Sequence, residues 1–307
     1  MTHILILFLD GLGLGTNDVT WNPFAASELP TITGLLSGQA LLHATAPYHG
    51  EHASLLALDA QLGVKGKPQS ATGQATLLTG RNVAAEIDRH YGPKPTPDIA
   101  QILLEDNLFM QVKQRGGSAA LLNAYPPQYF EAIERGHRLH AAIPMALTGA
   151  GIPLLQSNDL RAGRALSADF TGAGWNERQA FPRAPVYSIN QAGALLADLA
   201  RSHTLSWFDY WLTDVAGHRA GMQEAIQLLT QLDALLGSLV RHWNTHRDLL
   251  IVISDHGNIE DLHARGHTAN PVPLLLIGPS ELRSLAATAC KDLSDLYPYV
   301  IHVLFSS

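Results

Sequence analysis

The sequence predicts an α/β fold: a three-layer α/β/α sandwich around a mostly parallel sheet, with one small insertion. Two observations carry that prediction. Apolar runs of strand length are continuous rather than alternating, as in strands covered on both faces. Longer stretches with helical spacing separate them. HILILFLD (3–10) is the first run. The helical stretch DIAQILLEDNLFMQVKQRGG (98–117) ends on two glycines, a usual helix stop, and SAALLNAY (118–125) reads as the next strand. LSWFDYWLTD (205–214) is aromatic and strand-like, DLLIVISDHG (248–257) is the strongest strand signal, and VPLLLIG (272–278) follows it. AGMQEAIQLLTQLDALLGSLVRHWN (220–244) carries apolar residues at helical spacing between them. Residues 126–187 differ. They are rich in Pro, Gly and Arg (PPQYF, ERGHRLH, TGAGWNERQAFPRAP) and hold no strong strand. The expected organisation is a core of 1–125 and 188–307 with a cap-like insertion of 126–187 over the sheet's edge.

Composition narrows the function classes. A length of 307 residues accommodates one large α/β domain or a core with an insertion. The net charge is −7 and no basic cluster is present, so a nucleic-acid surface is not indicated. An anionic substrate would then need cations or metals in the site itself. Cys290 is the only cysteine, which rules out an intrachain disulfide and a thiolate metal cluster. No charged n-region precedes the first apolar run, and ILILFL is too short to span a bilayer, so a soluble, cytoplasmic protein is expected. The 15 histidines are the unusual count.

Three predicted strands end on aspartate: Asp10, Asp214 and Asp255. In parallel α/β sheets ligands bind beyond the carboxyl ends of strands, so the three carboxylates should converge on one edge. His218 follows Asp214 by four residues, His256 is adjacent to Asp255, and His267 precedes the 272–278 strand. A lone histidine is ordinarily a core side chain with one hydrogen bond. This joint pattern is not ordinary. Carboxylate oxygen and imidazole nitrogen suit hard or borderline divalent cations, and six such ligands are too many for one open tetrahedral site. They suit two ions, which can clamp the attacking and leaving oxygens of a phosphoryl transfer. A charge at the tip of the buried first strand is then neutralised by a cation. The stretch GKPQSATGQATLLTGRN (66–82) places hydroxyls at the start of a predicted helix, where phosphate is favoured. Ser70 there is either an N-cap or a nucleophile, with Thr72 as the alternative nucleophile.

These motifs together resemble the alkaline phosphatase superfamily. They are most similar to its metalloenzyme branch, which holds cofactor-independent phosphoglycerate mutase and phosphopentomutase. FLDGLG, PQSATGQATLLTG, TDVAGH, SDHGN and GHTANPVP carry the resemblance, from residue 7 to 273. It implies one metal on Asp10, Ser70, Asp255 and His256, and another on Asp214, His218 and His267. It also favours Ser70 as nucleophile, three residues before Gly73. The mutases commonly place His where this chain has Gln74, and they carry a large inserted domain whose arginines hold the substrate phosphate. The 126–187 stretch is short beside that domain. Its Arg135, His137, Arg138, Arg161, Arg164, Arg178 and Arg183 read as a solvated surface, with one or two able to reach a substrate anion. The expected protein is a two-metal (Mn or Zn) phosphoester hydrolase acting on a small anionic phosphoester through a Ser phosphoenzyme. The alternatives are a phosphomutase and a catalytically silent metal-bearing regulator.

Overall fold

A computed structural model describes residues 2–177, 184–264 and 266–306. Its strands are β1 (Ile4–Leu9), β2 (Tyr48–His49), β3 (Ala53–Leu58), β4 (Ala119–Leu121), β5 (Ala124–Tyr125), β6 (Leu155–Gln156), β7 (Leu205–Tyr210), β8 (Leu249–Ile253) and β9 (Val272–Ile277). Seven of them form one sheet in the order β2-β3-β9-β8-β1-β7-β4. β1 lies at its centre, parallel to β7 and to β8, with Ile4 facing both Leu205 and Leu249. All six β1 side chains are buried. Ile4, Ile6 and Phe8 point into one core, against helices Ser70–Thr79, Ala142–Gly149 and Leu296–Phe305. Leu5, Leu7 and Leu9 point into the other, against Ile189–Ala200 and Met222–His242. This two-sided burial is why the strand reads as an unbroken apolar run, and it confirms the three-layer α/β/α architecture.

β9 departs from the parallel pattern. The described residues between β8 and β9, within 254–271, form no covering crossover helix, and the chain returns antiparallel, with Ile253 against Leu274. The start of β9 thus lies at the same edge as the ends of β1 and β8. β3 and β2 extend the sheet antiparallel beyond it and carried no signal strong enough to be anticipated.

Two strand expectations need correction. The 118–125 stretch is not one strand. β4 stops at Leu121, and the Asn123 side chain then imitates a strand residue: its Oδ1 accepts from Asp209 N and its Nδ2 donates to Asp209 O, both at 2.8 Å. Beyond it β5 pairs with β6 in a separate two-stranded ribbon. Nor does 205–214 run as a strand to Asp214. β7 ends at Tyr210, and Leu212–Arg219 is helical.

The 126–187 stretch is of mixed character. Helix Ala142–Gly149 buries Ala142, Ile143, Ala146 and Leu147 in the main core. Leu160, Ala165 and Ala184 with Ala124 form a small satellite cluster. Arg178 and Arg183 lie outside the described residues. Among the described residues no helix is long and apolar enough to cross a membrane.

Candidate metal centre and nucleophile

Asp10 follows β1 directly, and the backbone beyond it turns through Gly11 at φ +68°. A Cβ on Gly11 would sit 2.7 Å from Asp214 Oδ1, so only glycine lets the β1 turn approach that carboxylate. Asp214 is in the first turn of Leu212–Arg219, which makes Asp214 and His218 neighbours on one helix face. Their Oδ1 and Nε2 lie 3.4 Å apart. Thr213 Oγ1 donates to the Asp10 carbonyl at 2.6 Å and locks this helix to the end of β1.

Asp255 and His256 follow β8 and are fully buried. His256 Nδ1 lies 3.3 Å from the Gly257 carbonyl, which as an acceptor fixes the proton on Nδ1. The free Nε2 then faces Asp10 Oδ1 at 3.4 Å, Asp255 Oδ2 at 3.7 Å and Ser70 Oγ at 3.0 Å. His267 repeats the device. Its Nδ1 donates to the Pro68 carbonyl at 2.8 Å, and its Nε2 lies 3.6 Å from Asp214 Oδ1. The two imidazoles stack with centroids 3.7 Å apart.

The structure therefore brings together all six anticipated side chains. Asp10, Asp255 and His256 form one trio with ligand atoms within 4.8 Å of one another. The other trio is Asp214, His256 and His267. His256 stands between the two, and His218 lies at the rim, its ring 5.2 Å from that of His267 and its side chain 41% exposed.

The electrostatics fit divalent cations. Burial, then the neighbouring Asp255, Asp214 and Asp209 charges, push the Asp10 carboxyl well above its usual range. Burial and then Asp214 push Asp255 up to about 7. Asp10 Oδ1 is buried with no hydrogen-bond partner. Burial lowers His256 and His267, so both are neutral at pH 7. Their short contacts with carboxylates are therefore not ion pairs. Crowded carboxylates with neutral imidazoles and an orphaned oxygen are the donor set a cation satisfies.

Ser70 is the first residue of helix Ser70–Thr79 and caps nothing; the N-cap is Gln69. That removes the ordinary N-cap explanation for Ser70. Its hydroxyl, 8% exposed at the residue level, turns to His256 instead. Thr72 Oγ1 is bound to the Gln69 and Tyr91 carbonyls and faces away from the trios. Gly73 lets this helix close on Asp255, since a Cβ there would meet the Asp255 carbonyl oxygen at 2.8 Å.

Four contributors were not anticipated in these roles. Gln74 donates to Asp255 Oδ2 at 3.1 Å. Asn258 donates to Asp214 Oδ1 at 2.7 Å. Glu260, 1% exposed, accepts from Gly13 N, Asn258 N, Asn270 Nδ2 and Thr268 Oγ1, and so ties the loop after β1 to the loop after β8. Asp209, near the end of β7, holds a buried Oδ1 without a partner, and burial raises it to about 7. Its signal was an acid inside an apolar strand, FDY.

Comparison with known proteins agrees with this geometry. Residues 186–305 match the Metalloenzyme superfamily. A 2,3-bisphosphoglycerate-independent phosphoglycerate mutase of Thermomicrobium roseum is 25% identical over 140 residues, which cover 40% of this chain and 27% of the mutase. The mutase of Dinoroseobacter shibae is 30% identical over 36% of this chain and 23% of its own length. The matched region thus spans about a quarter of these relatives. The alkaline phosphatase of the Antarctic bacterium TAB5 superposes with a TM-score of 0.56 over 99% of both chains, at 13% identity. The fold is alkaline phosphatase-like, and over residues 186–305 the sequence is similar to the Metalloenzyme superfamily.

Proposed function

We propose that this chain is a metal-dependent phosphoryl-transfer enzyme that hydrolyses a small anionic phosphoester, met in the cytoplasm, with Ser70 as nucleophile. The observation that carries the reading is Ser70 Oγ, 3.0 Å from His256 Nε2, the atom shared by both ligand trios. Asp10, Ser70, Asp255 and His256 would hold one divalent ion, and Asp214, His218 and His267 the other, with Mn or Zn suited to these oxygen and nitrogen donors. When bound, such ions supply positive charge for the phosphoryl oxygens and favour ionisation of a nearby hydroxyl.

The chain's residues do the rest. In the first turn of Ser70–Thr79 the Thr72 N–H is taken by the Tyr91 carbonyl, and the Ser70 and Ala71 N–H groups, without intrahelical acceptors, would serve a bound phosphoryl group. Ser70 Oγ forms the bond to phosphorus as the ester P–O bond breaks. The Ser70 proton passes through solvent to the departing alcohol. Water then opens the phosphoserine and releases inorganic phosphate, which restores the hydroxyl. Gln74 and Asn258 hold Asp255 and Asp214 in place.

A second reading, a phosphomutase, is favoured by the mutase relatives. In it the phosphoserine returns its phosphoryl group to the same substrate, which requires water to be kept out. A single experiment separates the two. Metal-loaded protein should release phosphate from an aryl phosphate. It should interconvert 2- and 3-phosphoglycerate, or ribose 1- and 5-phosphate, more slowly than it hydrolyses them. Isomerisation without phosphate release would establish the mutase. No turnover of any phosphoester by the loaded protein would leave the silent regulator.

A further inference from the structure

The two groups of candidate ligands offer different atoms. Beyond the tip of β1 the donors are mainly oxygen: the carboxylates of Asp10 and Asp255 and the hydroxyl of Ser70. Asp10 Oδ1 is buried with no hydrogen-bond partner. Asp255 receives Gln74 Nε2 on Oδ2 at 3.1 Å and Gly11 N on Oδ1 at 3.4 Å. At the rim the donors are mainly nitrogen. His218 and His267 bring Nε2 to the same Asp214 Oδ1, at 3.4 and 3.6 Å. That oxygen also accepts from Asn258 Nδ2 at 2.7 Å. The Pro68 carbonyl takes the His267 Nδ1 proton, which leaves Nε2 as the free nitrogen. His256 belongs to both trios. Whichever ion it joins, the contrast stands: two carboxylates and a hydroxyl inside, one carboxylate and two imidazoles at the rim.

Exposure follows the same division. The Asp255 and His256 side chains are fully buried, whereas Asp214 is 20% and His218 41% exposed. Carboxylate and water oxygens suit hard cations such as magnesium and manganese, and imidazole suits zinc. Three protein ligands with a fourth position left open are the usual form of catalytic zinc, which describes Asp214, His218 and His267. Zinc binds most oxygen and nitrogen sites more tightly than manganese does. The two groups therefore differ in how strongly zinc is preferred, not in which ion each would bind when offered alone.

We propose that this chain holds a mixed pair of cations, zinc on Asp214, His218 and His267 and a hard cation of the manganese class on Asp10, Ser70 and Asp255. The assignment rests on the two-ion reading above and divides between the half-sites the metals which that reading leaves open.

The test loads the full chain from a large excess of Mn²⁺ with one equivalent of Zn²⁺, then removes free metal. Elemental analysis should find both metals in equal amounts. Anomalous scattering at the two absorption edges should place zinc at the rim and manganese inside. Electron paramagnetic resonance should show an isolated manganese ion rather than an exchange-coupled pair. In competition, zinc should displace manganese from the rim at a free concentration about tenfold or more below that needed inside. His218→Asp and His267→Asp trade an imidazole for a carboxylate. Each should remove most of that difference and bring up the exchange-coupled manganese signal. His218 is exposed enough to be replaced without disturbing the core, and thermal unfolding checks both variants. Zinc spread evenly over the two groups, or zinc inside with manganese at the rim, overturns the proposal and leaves the phosphoryl-transfer reading standing. Zinc selectivity unchanged in both rim variants does the same. A chain that binds one ion or none overturns this proposal and the two-ion reading together.

Discussion

Ser70 and Thr72 are two residues apart and chemically alike, yet their surroundings separate them. Ser70 Oγ meets His256 and supports no backbone, whereas Thr72 Oγ1 is engaged by Gln69 and Tyr91. Ser70→Ala should lower turnover on the order of 10³-fold or more and leave the thermal midpoint nearly unchanged. Thr72→Ala should keep turnover and lose about 1 kcal/mol of stability. The reverse pattern in steady-state kinetics and thermal melts would transfer the nucleophile to Thr72. Glu260 presents a different case, a buried carboxylate that touches no ligand atom but accepts four hydrogen bonds. Glu260→Gln should destabilise the protein by at least about 2 kcal/mol and weaken metal binding roughly 10- to 100-fold, read by metal titration. Unchanged metal affinity in a folded variant would show that the loops hold the ligands without it.

At the scale of elements, helix Ser70–Thr79 owes its position to a missing side chain. Gly73→Ala should normally strengthen a helix by about 1 kcal/mol. Here the added Cβ meets the Asp255 carbonyl, so the helix must retreat and take Ser70 from His256. The expected result is a loss of turnover and stability together, and a stabilised, active Gly73→Ala would refute the close approach. Much at this scale was legible in the sequence. β1, β8 and β9 are long and apolar, and Asp10, Asp255, His256 and His267 stand right at their ends. Asp214 was found for a partly mistaken reason: it does not end a strand, and its four-residue spacing from His218 is helical. β2 and β3 were missed because they pair at the sheet's margin with weak patterning. Gln74, Asn258 and Glu260 were missed because second partners obey no period; they are defined by what the ligands require in space. Asn123 hid a strand break because an amide side chain can satisfy a ladder as backbone does.

Across the molecule, the centre couples protons to metal. Burial and like charge raise Asp10, Asp209 and Asp255, the last two to about 7, while His256 and His267 are lowered and already neutral near pH 7. Below about pH 7 the metal-free protein therefore holds protons on carboxylates that a cation needs ionised. Loading should release protons at pH 6 and fewer at pH 8, and the affinity should rise with pH across that window, by about tenfold per pH unit for each proton displaced. Calorimetry in buffers of different ionisation enthalpy measures this directly. Proton uptake, or an affinity that falls as pH rises, would contradict the assignment of Asp10 and Asp255 as ligands.

The place of β1 in the sheet has a consequence for biosynthesis. This strand is made before its neighbours β7 and β8, which begin about two hundred and about two hundred and forty-five residues later, at Leu205 and Leu249. At about 5–20 residues per second, β1 leaves the ribosome on the order of tens of seconds before it is flanked on both sides. For that interval six consecutive apolar residues and the acid at their tip have neither strand nor cation to cover them. The metal site cannot be loaded during translation, because the ligands after β8 do not yet exist. A nascent chain of this protein is thus a natural client for chaperones, and a release before residue 249 leaves a product that can neither close its sheet nor hold its ions.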